Sequence, residues 1–284
     1  MRVVVTGAGG MLGQDVVAEV ASRGWEAFPL PHDKLDICSF QQVKSLLSNA
    51  KPDSVINCAA YNDVDGAETN RHRALSVNGF GVRNLALVCA DIDCPLIHLS
   101  TDYVFDGEKH EAYTIYDQPH PINAYGESKL LGEQYLLYLL RRFYLVRTSW
   151  MFGLKGNNFV ETMLKAADEQ DEITVVNDQW GAPTFSQDLA KAIVDLITTG
   201  CYGIYHITNQ GRVSWYNFTR IILEQAQKSI QPIPVSSNEV RRPARRPQNS
   251  ALAPFPLAET IGYLLPPWED ALERYLSQRE VAVL

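Results

Sequence analysis

The sequence predicts an α/β fold, a doubly wound parallel sheet followed by a smaller C-terminal lobe, on three observations. Short apolar runs alternate with helical stretches through the first half of the chain, the order of a parallel sheet whose crossovers cover both faces. The first run, Val3-Val4-Val5, feeds directly into the glycine-rich turn Gly7-Ala8-Gly9-Gly10 and then a helix. After Trp150 the rhythm changes: Gly153, Gly156, Gly181 and Pro183 punctuate shorter elements, and residues 229–256 are rich in Pro, Ser and Arg.

The elements are expected in this order. Strands fall over 2–6, 26–30, 54–58, 95–100 and 143–149, with helical periodicity around 11–22, 40–48, 74–90 and 123–142. The first helix is marked by Val16, Val17, Val20 and Ala21 on one face. A helix near 186–199 and a strand near 203–208 again look like sheet material and are expected to return to the first domain. The division is therefore a nucleotide-binding domain over 1–152 and a smaller substrate-binding lobe over 153–284. No internal repeat or low-complexity tract interrupts this pattern.

Composition narrows the function. At 284 residues, 46% hydrophobic and 20% charged, the chain has the makeup of an ordinary globular protein with a substantial core. A net charge of -8 argues against nucleic acid or an anionic membrane surface as partner, because both need a basic face. No apolar run is long enough to span a bilayer, and the chain starts on a core strand instead of a signal peptide, so a cytoplasmic protein is expected. The five cysteines, Cys38, Cys58, Cys89, Cys94 and Cys201, are odd in number and lie mostly in apolar contexts, which reads as reduced filler. No His, Cys and carboxylate spacing demands a metal. The oligomeric state is left open, with a homodimer compatible with the sequence.

The chemistry-bearing segments follow the strands, where ligands bind in sheets of this kind. Gly7, Gly10 and Gly13 are spaced for a tight turn, a close backbone approach and a close helix contact, and the helix beginning near Met11 presents its positive end. A dinucleotide pyrophosphate fits there, which makes the fold Rossmann-type. After 54–58 come the small residues Ala59 and Ala60, then Tyr61, which let a cofactor approach the backbone. After 95–100 come Thr101 and Asp102, a hydroxyl and a carboxylate at the sheet edge. Tyr125 and Lys129 then stand four residues apart, on one face of a helix. A protonated Lys beside a phenol favours the phenolate, so this pair is expected to lower the Tyr pKa and deliver a proton. On an isolated helix such a pair is commonly a core-capping Tyr and a snorkelling Lys. Its placement on the same rim as the glycine loop favours chemistry.

These motifs resemble those of the extended short-chain dehydrogenase/reductases, and among them the dTDP-4-dehydrorhamnose reductase family. The resemblance covers nearly the whole chain. It rests on Thr6 to Gly13, Ser100 to Gly107, Tyr125 to Lys129 and Arg147 to Trp150, and in the second lobe on Gly156 to Phe159, Asn177 to Thr184 and Ala244 to Ser250. The second-lobe motifs point to the reductase branch, since epimerases and dehydratases share the glycine loop and the Tyr/Lys pair.

The resemblance implies reduction of the C4 ketone of dTDP-4-dehydro-L-rhamnose by NADPH or NADH. It implies Tyr125 as general acid, Lys129 as the group that tunes Tyr125 and holds the nicotinamide ribose, and Thr101 as the third member of the triad. Asp102 and Trp150 match positions beside the sugar, with a plain core aromatic as the other reading of Trp150, and Tyr103 is a further substrate candidate. Met11, Leu12, Asp36, Ile37, Ala59, Ala60 and Tyr61 match cofactor contacts. Where many relatives end the second strand with an acid for the ribose 2′-OH, this chain has Leu30, then Pro31 and His32, so NADH is not enforced and His32 or Lys34 can face a 2′-phosphate. The choice leans to NADPH. Asn62 stands where relatives commonly have Thr. Arg241, Arg242, Arg245 and Arg246 read either as a solvated loop or as a clamp on the substrate diphosphate, with Arg246 the residue of choice. Some relatives use a divalent ion at a subunit interface, which these residues neither support nor exclude. Two other functions stay open: a reductase or epimerase of another nucleotide-linked 4-keto sugar, and a non-catalytic nucleotide-binding regulatory subunit.

Overall fold

The computed structural model of the protein describes residues 1–283, and the side chains of residues 1–279. The first half of the chain supplies strands β1 (Arg2–Thr6), β2 (Glu26–Leu30), β3 (Ser54–Asn57), β4 (Leu96–Thr101) and β5 (Phe143–Thr148). Between them lie helices α1 (Met11–Ser22), α2 (Phe40–Ala50), α3 (Gly66–Thr69), α4 (Arg71–Ala74), α5 (Val82–Asp91) and α6 (Ala124–Leu139). Short strands follow, β6 (Met151–Phe152), β7 (Ile173–Val176), β8 (Trp180–Gly181) and β9 (Thr184–Phe185), with helix α7 (Phe159–Glu169) among them. Helix α8 (Ser186–Leu196) then leads to β10 (Gly203–His206), which pairs in parallel with β5. The chain ends through β11 (Val213–Ser214), α9 (Trp215–Gln225), β12 (Pro232–Val235), α10 (Leu257–Ile261) and α11 (Trp268–Val283).

The central sheet has six strands in the order β2-β1-β3-β4-β5-β10, all parallel. A parallel sheet covered on both faces needs apolar side chains on each, and alternate residues divide accordingly. Val3, Val5, Ile56, Ile97 and Val146 face α1 and α8, whereas Val4, Val55, Leu96 and Leu145 face α2, α5 and α6. The strand order reverses between β1 and β3, which opens a crevice beyond their carboxyl ends, the site such folds use for ligands. The second body has its own core of Phe152, Phe185, Phe218, Trp268 and Tyr275, packed as stacked and edge-to-face rings. Leu257 and Leu265, late in the chain, pack with Val3 and Val5 under the sheet.

The continuous helix expected over 74–90 is interrupted. Leu75–Gly81 forms a π-helical turn between α4 and α5. The cause is a contact with another segment: the Asn78 amide exchanges two bonds with the Tyr61 backbone, accepting from its N–H at 2.8 Å and donating to its carbonyl at 3.0 Å. Gly79 lies so close to Leu131 that a Cβ would come within 2.6 Å of that side chain. A π turn of this kind often marks a functional region, and here it fixes the loop after β3. Helix α6 is set just as firmly, because Asn123 caps it by accepting from the Gly126 N–H at 2.7 Å.

Candidate active site

The crevice begins with a cradle that admits no side chain. Gly7 has φ 64, and a Cβ there would lie 2.5 Å from the Ala59 nitrogen. A Cβ on Gly13 would lie 2.3 Å from the Gly7 carbonyl, so α1 is pinned against the turn. The first cavity, about 320 Å³, is lined by Gly7, Gly10, His32, Asp36, Ile37, Ala59, Ala60, Tyr61 and Arg73 among others. These residues fit an adenosine and pyrophosphate: a bare backbone turn and a helix N-terminus for the anion, and apolar walls for a base. His32 stands in this cavity, whereas Lys34 does not. Arg73 was not singled out in the sequence; it lies in α4 and lines this cavity.

The second cavity, about 470 Å³, continues along the rim and brings together Met11, Leu12, Gly13, Thr101, Asp102, Tyr125, Lys129 and Trp150. Thr101 ends β4 and Tyr125 and Lys129 lie on the facing turns of α6. The Thr101 hydroxyl is within reach of the Tyr125 phenol and donates to Asp102 Oδ1 at 3.0 Å. Lys129 is buried and donates from Nζ to the Leu99 carbonyl at 2.5 Å. Burial brings its pKa down to about 8, with the Glu133 carboxylate pulling the other way. Glu133 is itself held by Ser100 and by a two-point pair with Arg147, at 2.7 and 3.0 Å.

One expectation fails in this arrangement. Lys129 was expected to depress the Tyr125 pKa, but its ammonium is engaged by Leu99, and Tyr125 instead lies well above the ordinary phenol, because desolvation outweighs the Thr101 hydrogen bond. Asp102 is also buried; its pKa is pushed up to about 7 by burial, against the bonds from Ser250 and Thr101, and its Oδ2 has no partner. The second cavity thus holds a carboxyl that changes charge near neutrality.

Two predicted residues line neither of these cavities. Tyr103 packs edge-on against Tyr125, with ring centroids 6.0 Å apart, and its phenol lies against the Arg246 guanidinium. Arg246 lines a third cavity, about 550 Å³, together with Arg242, Arg245, His120 and Gln248. It is not a free cation there: its guanidinium makes a two-point pair with Asp65, at 2.5 and 2.8 Å. Asp65 was missed by the sequence reading, being 181 residues away from its partner. Arg241 is not among the residues lining this cavity. Asn62 lines both of the first two cavities. Gly156 and Asn157, noted as second-lobe motif residues, reach into the second one. Among the described residues no group of three or more His, Cys, Asp or Glu is placed to hold a metal ion, and no helix is long and apolar enough to cross a membrane.

A parallel sheet with a glycine cradle at its switch point, and Thr, Tyr and Lys converging on one rim, defines the class as an extended short-chain dehydrogenase/reductase fold. Comparison with known proteins narrows the class. The chain belongs to the RmlD substrate binding domain family, which matches residues 1–281. It is 37% identical over 281 residues to the spore coat polysaccharide biosynthesis protein SpsK of Bacillus subtilis, covering 99% of both chains. It is 38% identical to a dTDP-4-dehydrorhamnose reductase of Aggregatibacter actinomycetemcomitans, covering 98% of this chain and 99% of that one. A crystal structure of dTDP-4-dehydrorhamnose reductase from Bacillus anthracis in complex with NADP superposes with a TM-score of 0.95 at 39% identity, covering 98% of this chain and 99% of that chain.

Proposed function

We propose that the protein is an NAD(P)H-dependent reductase of a dTDP-linked 4-keto-6-deoxy sugar, with dTDP-4-dehydro-L-rhamnose as its substrate and dTDP-L-rhamnose as its product. The observation that carries this reading is the convergence of Thr101, Tyr125, Lys129 and Trp150 on the cavity that continues the glycine cradle. The relatives named for this activity and the NADP complex of a superposable structure support it.

The cofactor's adenosine would be held between Asp36, Ile37 and Ala59 to Tyr61, and its pyrophosphate by Gly7, Gly10, Met11 and Leu12 at the start of α1. When bound, the reduced nicotinamide supplies the hydride for C4. Tyr125 donates the proton that the carbonyl oxygen needs, so that no free alkoxide forms. Thr101 shares a hydrogen bond with that phenol and keeps it aimed into the cavity. Lys129 lies on the same face of α6 and lines the cavity with its ammonium on the Leu99 carbonyl, from where it would hold the nicotinamide ribose. Asp102 accepts from Thr101 and, as a neutral acid below about pH 7, is able to donate to a sugar hydroxyl. The third cavity suits the diphosphate and nucleotide end of the substrate, because the guanidinium forks of Arg242 and Arg245 match phosphate oxygens, while Arg246, its own fork held by Asp65, adds positive charge to the wall. Tyr103 touches both Tyr125 and Arg246 and would lie where the sugar and diphosphate subsites meet.

With Leu30 in place of an acid at the end of β2, and His32 and Arg73 lining the first cavity, NADPH is the better fit of the two cofactors. A relative from Streptomyces niveus named dTDP-4-keto-6-deoxy-D-glucose reductase keeps one second reading in view, a reductase for another dTDP-linked 4-keto sugar. Following absorbance at 340 nm with dTDP-4-dehydro-L-rhamnose and either cofactor tests the proposal. Consumption of NADPH in step with formation of dTDP-L-rhamnose is the expected result; no consumption with this sugar, but turnover of a different 4-keto sugar, would move the assignment to that relative's branch.

A further inference from the structure

Helix α6 buries two ionisable side chains one turn apart, Lys129 at 3% and Glu133 at 1% exposure. Four residues of separation put them on one face. Both are tied to β4 at consecutive residues: Lys129 Nζ donates to the Leu99 carbonyl at 2.5 Å, and the Glu133 carboxylate accepts from the Ser100 hydroxyl. Among the described residues Asp102 and Glu133 are the only carboxyl groups buried this deeply, and Asp102 is neutral below about pH 7. Glu133 is therefore the negative charge of this interior, and a buried ammonium resting on a neutral carbonyl needs one.

The carboxylate is not free to swing away. Arg147, on β5, spans both of its oxygens from Nε at 3.0 Å and Nη2 at 2.7 Å. The remaining guanidinium nitrogen, Nη1, lies 3.4 Å from His206 Nε2. His206 Nδ1 lies 3.0 Å from the Tyr113 carbonyl, which can only accept, so Nδ1 carries the proton and Nε2 accepts from Arg147. A chain of bonds thus runs from β10 through Arg147 to Glu133, with Lys129 beyond it on the wall of the second cavity. The other titratable groups around Lys129 bring it no charge at neutral pH. Burial pushes the Cys58 thiol up to about 12, holds the His98 imidazole well below its ordinary value and keeps the Tyr125 phenol protonated.

We infer that Glu133 is a positioning residue for Lys129: fixed by Ser100 and Arg147, its carboxylate keeps the neighbouring ammonium charged and seated on the Leu99 carbonyl, in place for the cofactor ribose. The inference rests on the proposed part of Lys129 in the reaction. Burial draws Lys129 toward the neutral amine, and the Glu133 carboxylate opposes it. Without that carboxylate the Arg147 guanidinium faces the ammonium with no anion between them, so two buried cations share one site. At a separation of about 6 Å and an effective dielectric constant of about 20, losing the attraction lowers the titration of the amine by about one to two pH units.

The test follows the Cε resonance of Lys129 by NMR from pH 5 to pH 10, in cofactor-free protein carrying carbon-13 at that position of its lysines, the signal being the one missing from Lys129→Met. Glu133→Gln keeps the shape of the side chain and removes its charge, whereas Glu133→Asp keeps the charge. The midpoint is expected to fall by about one to two pH units in Glu133→Gln and by less than about half a unit in Glu133→Asp, with the alkaline limb of kcat/KM moving in the same order. A midpoint unmoved in Glu133→Gln overturns the inference, as does an equal shift in both variants, which marks a general loss of packing. If Glu133→Gln does not fold, the double variant Glu133→Gln with Arg147→Met, which removes the ion pair as a unit, decides: a fall of about half a unit or more supports the inference, and no fall overturns it. Midpoints that move while kcat/KM keeps its limb count against the proposed part of Lys129 in the reaction and leave its coupling to Glu133 standing.

Discussion

Replacing Asp102 with Asn should stabilise the unliganded protein at alkaline pH and leave it unchanged in acid. Asp102 is 3% exposed, and burial raises its pKa from 3.8 to about 7. The sign follows from proton linkage. Below 3.8 the carboxyl is protonated in the folded and unfolded chains alike. Between 3.8 and about 7 the unfolded chain loses the proton first, so stability falls as pH rises; above about 7 the loss is complete. At about 1.4 kcal/mol per pH unit, a rise of this size amounts to about 4 kcal/mol. Asparagine is uncharged throughout and keeps the Oδ1 that accepts from Thr101. Urea unfolding of both proteins from pH 4 to pH 9, without cofactor, reads the difference. Other groups that titrate on unfolding, His98 and His206 among them, are common to both proteins and cancel. The variant should match the wild type near pH 4 and gain to a plateau of about 4 kcal/mol by pH 8. A difference that does not change with pH would refute the claim that the site holds a carboxyl neutral.

Three further substitutions report on separate parts of the site, and a fourth serves as a control. Tyr125→Phe should reduce kcat by about 10²–10⁴-fold while the cofactor dissociation constant, read by fluorescence titration, stays as it was. Gly7→Ala should cost about 2–5 kcal/mol in urea unfolding and weaken cofactor binding, because a left-handed φ and a backbone collision coincide there. Gly24→Ala, with φ 71 but nothing within 4 Å, should cost only about 1 kcal/mol and serves as its control. Arg246→Ala should raise the KM for the sugar nucleotide by about 10–100-fold and leave that for NADPH unchanged; an unaltered sugar KM would remove Arg246 from the site.

What was legible in the sequence was what is local along the chain. The Val3-Val4-Val5 run, the glycine turn after it and the helix starting near residue 123 depend on residues that are neighbours, and each appears where it was expected. Thr101, Tyr125 and Lys129 were legible for the same reason, each lying at the end of a recognisable strand or in the first turns of a recognisable helix. The Asp65 to Arg246 pair and the Trp150 to Trp215 stack were not, because each joins distant segments whose meeting no spacing reports. The π turn at Leu75–Gly81 escaped because its cause, the Asn78 amide on the Tyr61 backbone, lies in another segment while the apolar periodicity around it is helical. The pKa of Tyr125 escaped because a pair four residues apart fixes a shared face but not the direction of the ammonium, which the Leu99 carbonyl decides.

The central claim is that this cavity brings reduced cofactor and Tyr125 together on C4 of a keto sugar. Turnover of dTDP-4-dehydro-L-rhamnose with NADPH deuterated at the transferring position of its nicotinamide, followed by NMR of the product, tests it directly. Deuterium at C4 of dTDP-L-rhamnose, one per cofactor consumed, is the predicted outcome. A product free of deuterium, or sugar isomerised with no net use of cofactor, would contradict it.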